Sequence, residues 1–465
     1  MNRRALFLIP AAVLLAGCIR PHYQRPQVSI PHAYRGDAGP SGDARSLGEL
    51  RWEDLIRDES LNALIREALA NNYDVRIAAA RVLEARSQVT LARSERFPSV
   101  DAQAGYTNQR IAREGSTPLP EGYPAESGFT NVLAALSWEL DLWGRLRNAN
   151  AAARAQLLAT QEARRVVMET LAGQVAQTYF LLRDLDLERE ITTRSIASRN
   201  ESLELVRLRV ENGYSSEMDL RQAEALVKTA TVSLTDLERQ SEQAENQMST
   251  LLGRPPGPVP RGRSLLEQDI EPRLPPGLPS TLLERRPDIR QAEQELIGAN
   301  AQVAVAKAAF FPRISLTAST GFESGALLSM LRAFNGTWVF GPVGNLPIFN
   351  AGRTRAGVRG AQAREQQAAL NYQRAVNQAF REVADSLVAC RKLAELREQQ
   401  EGLVQSLRSA VELADLRYRG GVSSYLEYLD SERQLLDAEL RLAQVRRDQW
   451  TSVINLYRAL GGGWQ

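Results

Sequence analysis

Histidine and cysteine are nearly missing from this chain of 465 residues, with two of each. Both histidines, His22 and His32, lie in a Pro-containing N-terminal stretch. Nothing remains elsewhere for a Ser–His couple or a His-based metal site. The chain also lacks a nucleophile elbow, a P-loop and a dinucleotide fingerprint, so neither an enzyme nor a cofactor is expected. Charge of either sign is not in excess: 57 Lys and Arg face 55 Asp and Glu, a net of +2, which leaves no nucleic-acid footprint. Beyond the N-terminus no run of about 18 apolar residues occurs, so no transmembrane helix is expected. A membrane crossing would have to be made by strands. Proline is absent from Leu142 to about Asn212, and only Gly144 and Gly173 interrupt that stretch.

What is present is a duplication. Asp74–Pro98 aligns with Asp288–Pro312 at an offset of 214, with identities that include Asp74/Asp288, Arg76/Arg290, Gln88/Gln302 and Pro98/Pro312. Further on the offset is 208 and pairs Gly144/Gly352, Arg209/Arg417, Gly213/Gly421, Ser215/Ser423, Ser216/Ser424 and Gly253/Gly461. A repeat of this length is a duplicated domain, not a solenoid unit. Each copy reads as helix, strand pair, very long helix, tight turn, helix. The expected segments are 1–17, 18–57, a first repeat over 58–253, a Pro-rich linker over 254–281 and a second repeat over 282–465.

Residues 1–17 read as a secretion signal, with Arg3 and Arg4 before the apolar run Ala5–Leu14. Leu15-Ala16-Gly17-Cys18 resembles the lipobox of bacterial lipoproteins, which makes Cys18 the expected lipid attachment site. Ile19 follows it, where an Asp would resemble an inner-membrane retention signal, so the outer membrane is favoured. Cys390 is then left alone. It pairs by offset with Leu182 on an apolar seam and is expected to be a small buried hydrophobe.

The strands are expected over about 99–113, 128–141, 313–323 and 336–349. Val100, Ala102, Ala104 and Tyr106 alternate with Asp101, Gln103, Gly105 and Thr107. Ile314, Leu316, Ala318, Thr320 and Phe322 do the same in the copy, and Trp338, Phe340, Leu346 and Ile348 share one parity in the last strand. A period of two with one apolar face is a half-buried strand. Runs of about 10 to 14 residues suit tilted membrane strands, and Tyr106, Trp138, Phe322 and Trp338 suit aromatic girdles. Four strands cannot close a barrel, and lipid forbids open edges, so membrane strands imply several copies.

The helices expected from Leu142 to about Asn212 and from Gly352 to about Arg419 are long enough for a coiled coil or helical barrel. Leu171, Val175, Thr178, Leu182 and Leu185 step by 4, 3, 4, 3, and Ala379, Val383, Ser386, Cys390 and Leu393 are their counterparts. Shorter helices are expected over about 58–97 and 217–252. The turns at Asn212–Ser216 and Gly420–Ser424 carry a Gly for the C-cap and a Ser for the next N-cap.

Three further motifs complete the pattern: Leu282-Leu283-Glu284-Arg285-Arg286-Pro287-Asp288-Ile289-Arg290, Leu252-Gly253-Arg254-Pro255-Pro256, and Leu460-Gly461-Gly462-Gly463-Trp464. With them the chain resembles the TolC-type outer membrane efflux factors, in their NodT/OprM-like lipoprotein branch. The resemblance implies a mainly α fold with a membrane β-barrel. It implies a homotrimer whose 12 strands cross the outer membrane and whose helices form a periplasmic barrel. It also implies a passive duct for drugs or other small toxic compounds, docked to a periplasmic adaptor and an inner-membrane RND pump. By the same resemblance Leu426 is the apolar ring and Asp430 the acidic ring of a periplasmic gate. Asp219 occupies a similar place in the first repeat, and Arg417 and Tyr418 belong to a polar network across the turn. Gly213, Ser215, Ser216, Gly421, Ser423 and Ser424 become adaptor-contact tips. A type I protein-secretion duct and a periplasmic coiled-coil scaffold lipoprotein are the alternatives.

Overall fold

The computed structural model describes residues 22–35, 46–114, 118–268, 277, 279–325 and 331–462. The secretion signal, the lipobox and Cys18 lie outside the described residues, as do Gly463 and Trp464. The described residues form two compact units. One is drawn from 22–26, 81–160 and 292–372, the other from 27–80, 161–291 and 373–462.

The repeats contribute matching series, except that the first opens with an additional long helix. The first has α1 (Glu59–Asn71), α2 (Tyr73–Ser94), β1 (Ser99–Arg110), β2 (Glu126–Leu140), α3 (Arg145–Glu211) and α4 (Glu217–Leu251). The second has α5 (Pro287–Ala308), β3 (Arg313–Ser324), β4 (Gly336–Asn345), α6 (Arg353–Arg419) and α7 (Tyr425–Ala459). The long helices α3 and α6 are both 67 residues, and α4 and α7 are both 35. Equal lengths after so much sequence divergence show that element length was retained while side chains changed. Among the described residues no helix is long and apolar enough to cross a membrane.

The strand-bearing unit holds one antiparallel sheet in the order β1-β2-β3-β4. Ser99 faces Ser137 at one end of the first ladder, and Leu140 faces Ile314 in the ladder that joins the two repeats. β1 and β4 are the edges, and neither has an outer partner among the described residues. The last strand is shorter than its periodicity suggested: it ends at Asn345, and Leu346 and Ile348 lie beyond it. Pro347 supplies no N–H to continue a ladder. Pro342 is tolerated inside β4 because an edge strand can turn a missing donor outward. Trp143 closes the base of the sheet; it donates to the Pro312 carbonyl at 2.7 Å and stacks on Phe311 with centroids 4.9 Å apart.

The expected single helix over 58–97 is two helices. Asn72 divides them: its Oδ1 accepts from the Asp74 and Val75 N–H groups, while its Nδ2 donates to the Leu251 carbonyl. A side chain that caps one helix and binds another element makes a break that apolar periodicity does not register. The start of α3 is set similarly, by Asp141 accepting from the N–H groups of Leu146 and Arg147.

The helical unit has the larger buried core, with Tyr179, Phe180, Leu182, Met248 and Tyr457 fully enclosed. Phe180 stacks on Trp450 at 4.9 Å. The α3 seam is buried at all of Leu171, Val175, Thr178, Leu182 and Leu185. Its α6 counterpart is buried at Ala379, Val383 and Ser386 but opens beyond, so Cys390 is half-buried, not enclosed. Burial nonetheless pushes its thiol up, against a hydrogen bond with Ser452. Arg286, from the nine-residue motif, is the joint of the second repeat. It holds Asp288 through two bonds, reaches Glu382 at 2.8 Å, and donates to the Ala459 carbonyl at 3.0 Å.

Candidate functional site

The α3–α4 and α6–α7 turns lie together at the helical unit's hairpin tips. Both helices end alike. Gly213 and Gly421 take positive φ, 77° and 73°, which a side chain would resist. The Tyr214 N–H then bonds back to the Arg209 carbonyl, and the Val422 N–H to the Arg417 carbonyl. This is the six-to-one closure of a left-handed C-cap.

Behind the turns an aromatic cluster joins the hairpins. Val206 and Ala223 of the first hairpin meet Ala414, Tyr418, Tyr425, Tyr428 and Leu429 of the second, all buried. Tyr418 and Tyr425 lie 5.2 Å apart and Tyr418 and Tyr428 6.3 Å, with the latter rings nearly parallel. Deeper in, Tyr428 donates to Glu432 at 2.7 Å and Ser198 donates to the same oxygen at 2.9 Å. Burial, with Glu432 adding its charge, pushes the Tyr428 phenol up to about 12.

The expected gate residues are placed as follows. Leu426 and Asp430 are four apart on the exposed face of α7, and Leu426 is 61% exposed. Asp430 pairs with Arg433 at 2.9 Å and accepts from Gln434. Tyr418 does not join the tip through its hydroxyl, which is buried without a hydrogen-bond partner among the described residues. Its ring makes the contacts, because the cluster encloses it from its own side of the seam. Asp219 is not a free acid at the mouth. It is the third residue of α4 and completes a capping box with Ser216, also accepting from the Ser215 hydroxyl. Slight burial raises its pKa, but the bonds from Ser216 and Ser215 outweigh this and hold it below the usual carboxylate range.

The second repeat uses the same positions differently. Ser424 makes no side-chain cap, and Glu427, the counterpart of Asp219, reaches across its own turn to Arg417 at 3.0 Å. Arg209, the counterpart of Arg417, is therefore left without an acid in its own turn. It crosses to the other hairpin, donating to the carbonyls of Tyr418 and Arg419 at 3.1 Å each, with its guanidinium 4.3 Å from the Tyr418 ring centre. The sequence paired Arg209 with Arg417 but assigned a role at the tips only to Arg417. The one available signal was the exchange of Asp219 for the longer Glu427.

The adaptor-contact set also divides. Ser216 and Ser215 are occupied by the capping box, and the Ser423 hydroxyl is buried without a hydrogen-bond partner among the described residues. The large apolar groups most exposed in the two turns are the residues after the glycines, Tyr214 at 83% and Val422 at 74%. In such C-caps this position usually packs back on its own helix, so its exposure leaves it free for another surface.

Comparison with known proteins was consistent along the whole chain. The family described as "Outer membrane efflux protein" matches residues 64–254 and 278–462. The solvent efflux pump outer membrane protein SrpC of Pseudomonas putida is 38% identical over 460 residues, covering 98% of this chain and 97% of its own. The cation efflux system protein CusC of Escherichia coli O6:H1 is 35% identical over 466 residues, covering 98% and 99%. Among solved structures, the open state of the Neisseria gonorrhoeae outer membrane channel MtrE superposes with a TM-score of 0.86 at 33% identity, covering 96% of this chain and 98% of that one.

Proposed function

Because the chain belongs to the outer membrane efflux protein family, we propose that it is the passive exit duct of a tripartite pump, gated at its helical tips. The observation that carries this is the four-stranded sheet with two open edges, β1 and β4. Unpaired edges cost several kcal/mol per group in lipid, so the sheet must close on further copies. Three copies supply twelve strands. Val100, Tyr106, Trp338 and Phe340, all exposed in the single chain, supply apolar surface for the bilayer. Cys18 carries the N-terminal lipid. Replacing it with Ser abolishes incorporation of labelled palmitate; retention of label would remove the lipobox reading.

At the tips, Leu426 and Asp430 from each copy narrow the passage, and the acidic ring favours cations. Arg417, paired with Glu427, and the Tyr418 ring, inside the aromatic cluster, hold the second hairpin in shape. Tyr214 and Val422, with the turns at Gly213–Ser216 and Gly421–Ser424, meet the periplasmic adaptor, which links the duct to an inner-membrane RND pump. A duct of this kind passes what its pump delivers. That agrees with relatives named for solvent and for cation efflux, and it leaves drugs or other small toxic compounds as the cargo class.

The test is single-channel conductance of the purified full chain in planar bilayers, wild type beside Asp430→Ala. The expected result is a small cation-selective current that grows in the variant. Equal currents would remove Asp430 from the gate. Silence from both would favour a scaffold without a pore.

A further inference from the structure

We infer that Arg433 is the counter-charge of the passage: it offsets Asp430 on the face of α7 that carries Leu426, so the duct admits small solutes of either sign and of none. The inference rests on the duct reading above and adds to it the residue that sets charge selectivity. Three observations carry it. First, the face is bipolar. Leu426, Asp430, Arg433, Asp437 and Arg441 follow one another at steps of four, three, four and four, and all are exposed. At 3.6 residues per turn these steps keep them within an arc of about 80°. The signs along it run acid, base, acid, base, and cancel.

Second, Asp430 is engaged at both oxygens from further along its own helix. The Arg433 guanidinium donates to one at 2.9 Å, and the Gln434 amide donates to the other. A pair three residues apart is a product of helix geometry. It travels with α7, so the two charges stay together however wide the passage is. The Arg433 and Asp430 side chains are 64% and 50% exposed, and a pair so open to water adds little to stability. What it alters is the field that a solute meets at this level. A ring of acids alone concentrates cations and repels anions, whereas an acid with a cation beside it presents a dipole whose field fades quickly. Third, the pattern belongs to one repeat. At the offset of 208 the same positions in α4 are Met218, Gln222, Ala225, Thr229 and Ser233, none of them charged. Acid and base are present together in α7 and absent together in α4, as expected of charges that work as a unit.

Reversal potentials of the purified full chain in planar bilayers, under a KCl gradient, test this. The variants are Arg433→Gln, Arg433→Lys, Asp430→Asn and the double Asp430→Asn with Arg433→Gln, each also melted thermally beside the wild type. Arg433→Gln is expected to raise the K⁺ over Cl⁻ permeability ratio about tenfold, the effect of an unopposed ring of one sign. Arg433→Lys, which keeps the sign, is expected to stay at the wild-type ratio, and Asp430→Asn to fall below it. The double variant is expected to return to near the wild type. Melting temperatures are expected to stay near the wild type, because the pair is exposed. An unchanged ratio in Arg433→Gln with a lowered one in Asp430→Asn overturns the inference and leaves the duct standing. A lower melting temperature with an unchanged ratio makes Arg433 merely structural and overturns it as well. So does a Lys variant shifted as far as the Gln variant, because shape and not charge would then set the ratio. A ratio unmoved by every variant takes this face of α7 out of the passage, and the placing of Asp430 with it. Absence of any wild-type current refutes the duct reading itself. Should Arg433→Gln not assemble, Arg433→Ala carries the comparison.

Discussion

Tyr418 separates what a side chain can do by its ring from what it can do by its hydroxyl. The ring is packed against Tyr425 and Tyr428 and covered by Arg209, while the oxygen has no hydrogen-bond partner among the described residues. A buried hydroxyl without a partner costs free energy, so removing it is neutral or stabilising by about 1 kcal/mol. Tyr418→Phe is therefore expected to keep wild-type conductance and to melt no lower than the wild type. Conductance that rose in the Phe variant would return the hydroxyl to the gate. This residue also marks a limit of reading from sequence. Its position near the turn was legible, but the direction of its hydroxyl depends on packing by Ala414 and Tyr425 from both arms of the hairpin.

At the scale of the element, α3 carries a buried acid away from the tips. Glu169 is 8% exposed. Burial raises its carboxyl to about 8; Arg286 pulls it down, Asp288 pushes it up, Arg458 pulls it down and Glu382 pushes it up. The sign follows from proton counting. Between about pH 4.5 and about pH 8 the native helix keeps a proton that the unfolded chain has released, so stability falls as pH rises through that window. Glu169→Gln is expected to flatten this dependence and to raise the melting temperature at about pH 8. A slope equal to the wild type's would show that another group titrates there. Element lengths themselves were legible: the constant offset of 208 required α3 and α6, and α4 and α7, to match. The strands were legible where alternation was regular, and were overextended where Pro347 stops β4 but leaves the alternation of Leu346 and Ile348 intact. The division between α1 and α2 was hidden because Asn72 needs the Leu251 carbonyl, 179 residues away, to make its position distinctive. The roles of Arg209 and Arg417 were hidden for a related reason. Only the reach of the neighbouring acid, Asp219 in one turn and Glu427 in the other, separates the two arginines.

For the whole molecule, the duplication explains why each unit is assembled from three separate stretches of chain. The sheet pairs β2 with β3, so strands from both repeats must be present before it exists. The helical unit depends still more on distant parts. Trp52 packs edge-on against Tyr457 at 4.6 Å, the Tyr457 hydroxyl donates to the Leu50 carbonyl at 2.6 Å, and Arg286 seals the Ala459 carbonyl. Contacts this far apart in sequence slow folding, because the chain must close long loops before the contacts reward it. During synthesis and export the N-terminal portion therefore waits for the last helix turn, with its apolar seams uncovered. A copy that stops short of Tyr457 leaves Trp52 without its ring partner and the Leu50 carbonyl without its donor.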